Sequence, residues 1–348
     1  MYKSFRRTML TLSSGLSQAK GGVYYAFCWL RTRMPLRHSW IKQRWSGADD
    51  LKKAKQVAIF VHHDPKGVVH DYVWYFLNEL RSAGYAVVFV TNGPRPKPAV
   101  LDKLLVECPL VLWRRNRGYD FGAYKDALQE LPNLADLDSL ILANDSVYGP
   151  IQPLAPVLAK ADQEHADIWG ITDTYDRKYH LQSYFLLIHR KALRTPTFLK
   201  FWRGLVYVQD KRLVVQRFEV GFSQRMLEAG LTLSALYPYR TLAYEIMDEI
   251  RQLSLVDPKL FAELPQRDHL KWMHDMINAG VPINPSHFFW EHLLVRHRFP
   301  FIKRELLTKN PCKVPMTAYW ETVIRRVSTY PPLLIERHLQ HALRNRSV

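Results

Sequence analysis

Short, continuous apolar runs alternate with segments of helical periodicity in the first half of the chain. Gln56 to Val61 and Tyr85 to Val90 are almost wholly apolar, which is typical of strands covered on both faces. Between them, apolar residues recur at helical spacing from Val69 to Leu80, and Gly84 stands where a helix C-cap is expected. This order predicts a β-α-β unit.

The alternation continues downstream. The pattern predicts a helix around Leu101 to Leu105, a strand at Leu110 to Trp113, a helix at Ala123 to Leu131 and a strand at Ser139 to Ala143. Strands and helices in strict alternation favour the α/β class, with a Rossmann-like, doubly wound and mostly parallel sheet.

The second half of the chain is less regular. Two strands are predicted, at Asp167 to Thr172 and Leu181 to Ile188, and a helix from Glu219 to Glu228 is closed by Gly230. From about residue 245 the composition is helical and aromatic. The sequence therefore predicts three parts: an N-terminal extension (1–55), a main α/β domain (56–245) and a helical part packed on that domain (246–348).

The charge of the chain is unusual. A net charge of +17 over 348 residues suits phosphate-rich ligands, an anionic membrane surface or nucleic acid. Residues 1–55 hold twelve Lys and Arg and two Asp, and twelve minus two gives +10 for this segment. The basic excess thus lies mainly outside the predicted domain, and no finger or RNP-type motif is present. We therefore expect no nucleic-acid partner, and a basic nucleic-acid-binding protein remains the weakest alternative.

The extension also contains an apolar, aromatic run, Val23 to Leu30, between Lys20 and Arg31. A membrane span needs roughly 20 apolar residues, so this run is too short to cross a bilayer. Two interpretations stay open: the segment lies at an anionic membrane interface, or it is a helix packed on the main domain. Cys28, Cys108 and Cys312 form neither a zinc spacing nor a disulfide framework. We expect a cytoplasmic protein, with peripheral attachment to the inner face of the cytoplasmic membrane left open.

The tripeptide Asn144-Asp145-Ser146 ends a buried apolar strand. Open α/β sheets bind ligands at the carboxyl ends of their strands, and hard oxygen ligands there suit a divalent cation that holds a diphosphate. Asp145 is the predicted ligand of Mg²⁺ or Mn²⁺, and Asn144 a predicted donor-binding residue. With a single carboxylate, the sequence leaves a requirement for metal open.

A second strand-to-helix junction lies just upstream, between Leu112 and Tyr124. Arginines and the amides of a helix N-terminus favour phosphate, and glycines permit close backbone approach. Asp120 suits a sugar or ribose hydroxyl, or else caps the helix. The donor-binding residues predicted here are Arg114, Arg115, Asn116, Arg117, Gly118 and Asp120.

Several ordered motifs between about residues 56 and 311 resemble those of the rhamnan synthesis F family, bacterial glycosyltransferases with a GT-A-type fold. The motifs are Phe60 to Asp64, Arg115 to Tyr124, Leu142 to Ser146, His180 to Phe185, Phe218 to Ser223, Asn284 to His287 and Pro300 to Leu307. The resemblance implies a nucleoside-diphosphate sugar donor, dTDP-L-rhamnose, and a lipid-linked saccharide acceptor. Residues 1–55 lie outside it. A non-catalytic, membrane-associated scaffold with the same fold is the main alternative.

The resemblance also suggests roles for individual residues. Phe218-Glu219-Val220-Gly221 looks like the acidic motif that supplies the base in inverting GT-A enzymes, so Glu219 is the predicted catalytic base; the alternative is that it only complements a helix dipole. Asp173, after another strand, is the second candidate for the base. Asp64 is expected to meet the nucleotide base or ribose, and His180 and Gln182 the donor.

Overall fold

The computed structural model describes residues 21–30, 39–132 and 134–344. Within these ranges, one nine-stranded sheet and a two-stranded ribbon account for the β-structure. The strands are β1 (Ile41–Ser46), β2 (Gln56–His62), β3 (Ala86–Thr91), β4 (Leu110–Arg114), β5 (Ser139–Asn144), β6 (Val147–Tyr148), β7 (Ile168–Thr174), β8 (His180–Leu181), β9 (Phe185–His189), β10 (Leu233–Tyr237) and β11 (Ile302–Lys303).

The strand order in the sheet is β1-β4-β3-β2-β5-β9-β7-β10, with β8 added beside β7. Neighbouring strands from β4 to β5 are parallel, as are β7 and β10, whereas β1, β8 and β9 run antiparallel to their neighbours. The predicted α/β class with a mostly parallel sheet is therefore confirmed. The carboxyl ends of β2, β5 and β7 lie at one edge of this sheet.

Helices cover both faces of the sheet. They are α1 (residues 21–30), α2 (Asp71–Ser82), α3 (Pro98–Glu107), α4 (Tyr119–Leu128), α5 (Leu154–Leu158), α6 (Arg190–Leu193), α7 (Pro196–Gly204), α8 (Lys211–Val214), α9 (Gly221–Glu228), α10 (Tyr239–Val256), α11 (Pro258–Glu263), α12 (Arg267–Asn278), α13 (Pro285–Phe288), α14 (Trp290–His297), α15 (Arg304–Thr308), α16 (Trp320–Val327) and α17 (Leu333–Arg344). A π-helical turn, Val215–Val220, joins α8 to α9.

The apolar runs of the sheet are explained by two hydrophobic cores. In β2, Ala58 and Phe60 belong to the core under α2 and the C-terminal helices, whereas Val57, Ile59 and Val61 belong to the core under α4, α7 and α9. Side chains alternate between the faces of a strand, so a strand covered on both faces must be apolar at every position.

The sheet begins earlier than the boundary predicted at residue 56. Strand β1 lies in the predicted extension and pairs antiparallel with β4. Its exposure alternates along Ile41–Ser46, as expected of an edge strand with one solvated face, so the segment lacks the continuous apolar run of a central strand. The second boundary, at residue 245, falls inside α10.

Helix α1 packs on the main domain. The Tyr24 hydroxyl accepts a hydrogen bond from the Gln209 amide, Arg217 lies over the Tyr25 ring, and Cys28 is buried in the core under α4. None of the helices found in the described ranges combines the length and hydrophobicity that a membrane span needs.

The strand predicted at Leu181 to Ile188 is interrupted. His180–Leu181 pairs with β7 at Asp173 and Thr174, whereas Phe185–His189 pairs with β5 and with the first residues of β7. The break frees Ser183 to bond Glu219 through its amide and its hydroxyl, at 2.8 and 2.9 Å. The single-strand prediction was wrong because the turn is stabilised by this distant contact.

Candidate functional site

A cavity of about 560 Å³ opens beside the carboxyl ends of β5 and β7. This volume falls within the usual range for small-molecule sites. Segments from both the main α/β domain and the C-terminal part form its walls. The polar residues that line it include Asp120, Asn144, Ser146, Thr174, Asp176, His180, Gln182, Ser183, Lys211, Glu219, Asn284, His287, Lys303, Arg304, Glu305, Thr308 and Lys309.

Glu219 lies on the cavity wall, in the π-helical turn. Its Oε1 accepts both hydrogen bonds from Ser183, and Oε2 accepts none from any residue that the structure describes. The continuous helix begins at Lys211, about two turns earlier, whereas the field of a helix terminus fades within the first turn. Complementing the dipole therefore does not explain this carboxylate, and π-turns are frequent at functional sites.

Asn144 and Asp120 form a second polar pair of the cavity. The Asn144 side chain donates to Asp120 Oδ2 at 3.2 Å and accepts from the Ser146 amide at 3.0 Å. Helix α4 starts at Tyr119, and its N-cap is Gly118 in the left-handed region, without a side-chain cap. Asp120 therefore faces the cavity rather than capping the helix.

Burial, together with the nearby Asp145 carboxylate, raises the pKa of Asp120 to about 6. The folded protein then binds this proton more tightly than the unfolded chain does, so ionisation of Asp120 opposes folding at pH 7. That cost disappears as the pH falls through 6 towards 4. We expect Asp120→Asn to raise the free energy of unfolding by about 1–2 kcal/mol near pH 7. Near pH 4 we expect the variant and the wild type to be equally stable within error.

Urea unfolding at the two pH values measures this difference. Asp176→Asn, at an exposed position of the same cavity, is the matched control. An Asp120→Asn protein that is equally stable or less stable than the wild type near pH 7 would contradict the assigned pKa.

The cations of the cavity come largely from the C-terminal part. Lys303 Nζ lies 3.7 Å from the centre of the Tyr184 ring, and burial lowers its pKa to about 8. Strand β11 pairs with β6, with Lys303 opposite Val147, and the Arg304 amide donates to the Ser146 carbonyl. Neither Lys303 nor Arg304 was predicted from the sequence to lie in the site, although both belong to the Pro300 to Leu307 motif. A Lys-Arg-Glu triplet inside an apolar segment was the available signal.

Asp145, the predicted metal ligand, already has a cationic partner. Its Oδ2 accepts a hydrogen bond from Arg304 Nη1 at 3.0 Å and one from the His63 amide at 3.1 Å. Asn144 beside it uses its carbonyl oxygen to bond Ser146. Mg²⁺ and Mn²⁺ need carboxylate or carbonyl oxygens that are free to coordinate. Asp145 is also held by Arg304 outside the cavity lining, so Asn144 and Asp145 as arranged here do not fit a divalent cation that would meet the donor.

Arg114 lies away from the cavity. It is fully buried, pairs with Asp126 at 2.7 Å, and donates to the Asn92 side chain and the Arg117 carbonyl. The prediction that Arg114 binds the donor is corrected. Arg114 is the last residue of β4, and its side chain points into the protein, where it pairs with Asp126 of α4.

Four more residues predicted at this junction also lie outside the cavity lining: Arg115, Asn116, Arg117 and Gly118. Arg115 and Arg117 are exposed, and Arg117 lies over the Trp40 ring. The carbonyl of Asn116 and the amide of Gly118 both bond the Gln209 side chain. A Cβ at Gly122 would collide with the Arg117 carbonyl, so the glycines serve the loop's own close packing.

Two further predicted carboxylates hold backbone segments. Asp64 accepts hydrogen bonds from the amides of Lys66 and Val68. The His70 side chain, followed by these two amides, lowers the pKa of Asp64 despite its burial. Asp173 accepts from the Tyr239 amide at 2.6 Å, at the start of α10, and burial raises its pKa. Neither lines the cavity, so the contacts favour Glu219 over Asp173 as the base.

His180 and Gln182, which the sequence predicts to meet the donor, line the cavity. Gln182 accepts from the Thr172 hydroxyl and donates to Asn284, whose side chain caps α13. Within α13, His287 lies 3.1 Å from Glu305, and this contact is the main cause that lowers the pKa of Glu305 to about 2. Hydrogen bonds therefore link Thr172 on β7, through Gln182, to Asn284 in the C-terminal part, and Gln182 and Asn284 both line the cavity.

Two curated proteins are similar to this chain. Virulence protein VirA of Vibrio anguillarum is 31% identical over 278 residues, which cover 76% of this chain and 83% of VirA. Uncharacterized protein y4gN of Sinorhizobium fredii is 30% identical over 186 residues, covering 52% of this chain and 48% of that protein.

Solved structures match at low identity. The mannosyltransferase PcManGT from Pyrobaculum calidifontis, in complex with GDP-Man and Mn²⁺, has a TM-score of 0.34 at 12% identity and covers 95% of this chain and 98% of its own. The mannosyltransferase Ktr4p from S. cerevisiae has a TM-score of 0.29 at 10% identity and covers 51% of this chain and 67% of its own.

The family described as "Rhamnan synthesis protein F" matches residues 87–254, which run from within β3 into α10 and include the Asn144-Asp145 strand end and Glu219. This match agrees with the ordered motifs of the sequence, and the similarity to VirA extends over most of both proteins. The chain therefore belongs to the rhamnan synthesis protein F family.

Proposed function

We propose that the protein is a nucleotide-sugar glycosyltransferase that moves L-rhamnose from dTDP-L-rhamnose to a lipid-linked or polysaccharide acceptor in cell-surface polysaccharide synthesis. One observation carries this proposal: a single cavity brings together a positioned carboxylate, Glu219, and the cations Lys303 and Arg304. Glycosyl transfer needs a base for the acceptor hydroxyl and positive charge for the departing diphosphate.

In the proposed reaction, the acceptor oxygen attacks the anomeric carbon as the bond from that carbon to the diphosphate oxygen breaks. Glu219 takes the hydroxyl proton, and Ser183 holds the carboxylate in place for this transfer. Lys303 and Arg304 stabilise the charge that develops on the nucleoside diphosphate. Attack opposite the leaving group inverts the anomeric centre.

Binding of the sugar falls to the neutral and acidic groups of the cavity. Asp120, paired with Asn144, accepts a hydrogen bond from a sugar or ribose hydroxyl. His180 and Gln182 lie on the β7–β8 side, where Asn284 fixes the orientation of Gln182. These residues fix which hydroxyls are recognised.

A panel of nucleotide sugars tests the proposed function. Purified full-length protein is incubated with each donor and a membrane extract, and release of nucleoside diphosphate is measured. We expect release with dTDP-L-rhamnose to exceed release with dTDP-glucose, UDP-glucose and GDP-mannose. If no donor is consumed, the glycosyltransferase assignment fails; if another donor is preferred, only the rhamnose assignment fails.

We also propose that α1 docks the protein on an anionic membrane that carries the acceptor. While Tyr24, Tyr25 and Cys28 contact the domain, Val23, Phe27 and Leu30 are 73%, 54% and 59% exposed. These three residues lie four and three positions apart, on one side of the helix. An apolar face in a strongly basic segment suits an anionic interface.

The full-length Phe27→Ser/Leu30→Ser variant is expected to bind anionic vesicles at least about tenfold more weakly than the wild type. Both replacements remove an apolar side chain that the lipid interface would bury. Co-sedimentation with anionic and neutral vesicles at low and high salt measures this. Val106→Ser, at an exposed position on α3, is the control. Equal sedimentation of both variants and the wild type would contradict membrane docking through α1.

A further inference from the structure

The Asn144-Asp145-Ser146 strand end and the Lys303-Arg304 pair form one unit. Strand β11 adds to β6, which starts directly after Ser146. The pairing places Lys303 opposite Val147, and the Arg304 amide donates to the Ser146 carbonyl at 2.9 Å. Backbone hydrogen bonds therefore fix two cations beside the place where the sequence predicts a metal.

The guanidinium of Arg304 takes the position that a cation bound to Asp145 would need. One nitrogen, Nη1, donates both to Asp145 Oδ2 at 3.0 Å and to the Tyr72 hydroxyl at 2.9 Å. Asp145 is 5% exposed and Tyr72 1% exposed, so both partners are fixed within the protein. Among the described residues, no other group hydrogen-bonds the remaining guanidinium N–H groups, while Arg304 itself lines the cavity.

Arginine and lysine together offer what a diphosphate requires. A guanidinium presents several N–H donors in a planar fork that matches two phosphate oxygens, and an ammonium acts as a compact point charge. Lys303 reaches the same cavity, where Tyr184 supports it from one side. Asp145 then acts as a positioning residue, because it holds Arg304 rather than touching the donor.

We propose that Arg304 and Lys303 replace the divalent cation of this site, so that the protein binds the diphosphate of its donor without metal. This inference rests on the proposed function, since it assumes a nucleoside-diphosphate ligand. It differs from the expectation of a Mg²⁺ or Mn²⁺ ion on Asp145, because that carboxylate is already neutralised.

Calorimetric titration of the full-length protein with dTDP, in EDTA and again in excess Mn²⁺, tests the proposal. The two dissociation constants are expected to agree within about twofold. Arg304→Gln is expected to weaken binding in EDTA by about ten- to a hundredfold, and Arg304→Lys by less, because it keeps the charge but loses the fork. The exposed Arg203→Gln is the matched control and is expected to bind as the wild type does.

A second readout comes from Asp145. Arg304→Gln leaves this carboxylate without its cation, so Mn²⁺ is expected to restore part of the lost dTDP affinity in this variant alone. Circular dichroism and thermal unfolding of each variant confirm that the proteins titrated are folded. Arg304→Lys keeps the test available if Arg304→Gln does not fold.

The outcomes separate this inference from the proposed function. Binding of dTDP by the wild type only in Mn²⁺, or unchanged binding by Arg304→Gln in EDTA, overturns metal replacement and leaves the glycosyltransferase assignment standing. Failure of dTDP, UDP and GDP to bind under either condition counts against the proposed function itself, and the inference falls with it.

Discussion

Glu219→Gln is expected to lower the turnover number by about a hundred- to ten-thousandfold, with little change in donor affinity. The amide keeps the size of the side chain and can still accept the Ser183 hydrogen bonds through its oxygen, but it cannot take a proton. The loss therefore falls on the transition state. Steady-state transfer kinetics give the turnover number, and calorimetry with dTDP gives the affinity.

Asp173→Asn provides the comparison, because Asp173 was the second candidate for the base. Its carboxylate holds the start of α10, so its replacement is expected to act through stability rather than turnover. Were Asp173→Asn to abolish transfer in a folded protein while Glu219→Gln remained active, the base would have been assigned to the wrong residue.

Arg114→Met is expected to lower the free energy of unfolding by about 3–5 kcal/mol, since it leaves the buried Asp126 carboxylate without its cationic partner. The Arg114 side chain also satisfies Asn92 and the Arg117 carbonyl, so three polar contacts are lost together. Chemical denaturation measures the stability, and calorimetry with dTDP measures the affinity of the folded fraction, which we expect to be unchanged.

Arg115→Met is the matched control, one residue away and exposed. We expect its stability to stay within about 0.5 kcal/mol of the wild type. A stable Arg114→Met protein with greatly weakened dTDP binding would return Arg114 to the donor site, as the sequence had suggested.

The central strands could be predicted from the sequence because burial on both faces leaves a continuous apolar run. Leu140-Ile141-Leu142-Ala143 in β5 shows this directly, since all four residues are fully buried. Edge strand β1 has no such run, and its pairing with β4 depends on residues about seventy positions away. A local pattern does not contain that contact.

The site was only partly predictable for the same physical reason. Asn144 ends a strand and Asp120 opens a helix, whereas His180, Gln182 and Glu219 were predicted from sequence motifs; the structure brings all five to one cavity. The cations opposite them depend on β11, a two-residue strand that pairs with β6 from more than 150 residues away. So short a strand carries no periodicity that a sequence can reveal.

Arg114 was wrongly predicted to lie in the site, because its partner could not be read from the sequence. An arginine at a strand end reads as a ligand-binding residue, and only the position of Asp126, twelve residues later on α4, decides that it turns inwards. The same holds for Asp145, whose carboxylate is paired by Arg304 from the far end of the chain. Both side chains are of a type that binds phosphate or metal, but their charges are satisfied within the protein.

The central claim is that this cavity transfers a sugar from a nucleotide donor to an acceptor hydroxyl, with Glu219 as the base. Radiolabelled dTDP-L-rhamnose, incubated with the full-length protein and a lipid extract from a bacterium that makes rhamnose polysaccharide, tests it most directly. We predict that label enters the lipid fraction in step with dTDP release, and that Glu219→Gln transfers almost none. Absence of transfer by the wild type, or equal transfer by Glu219→Gln, would contradict the account.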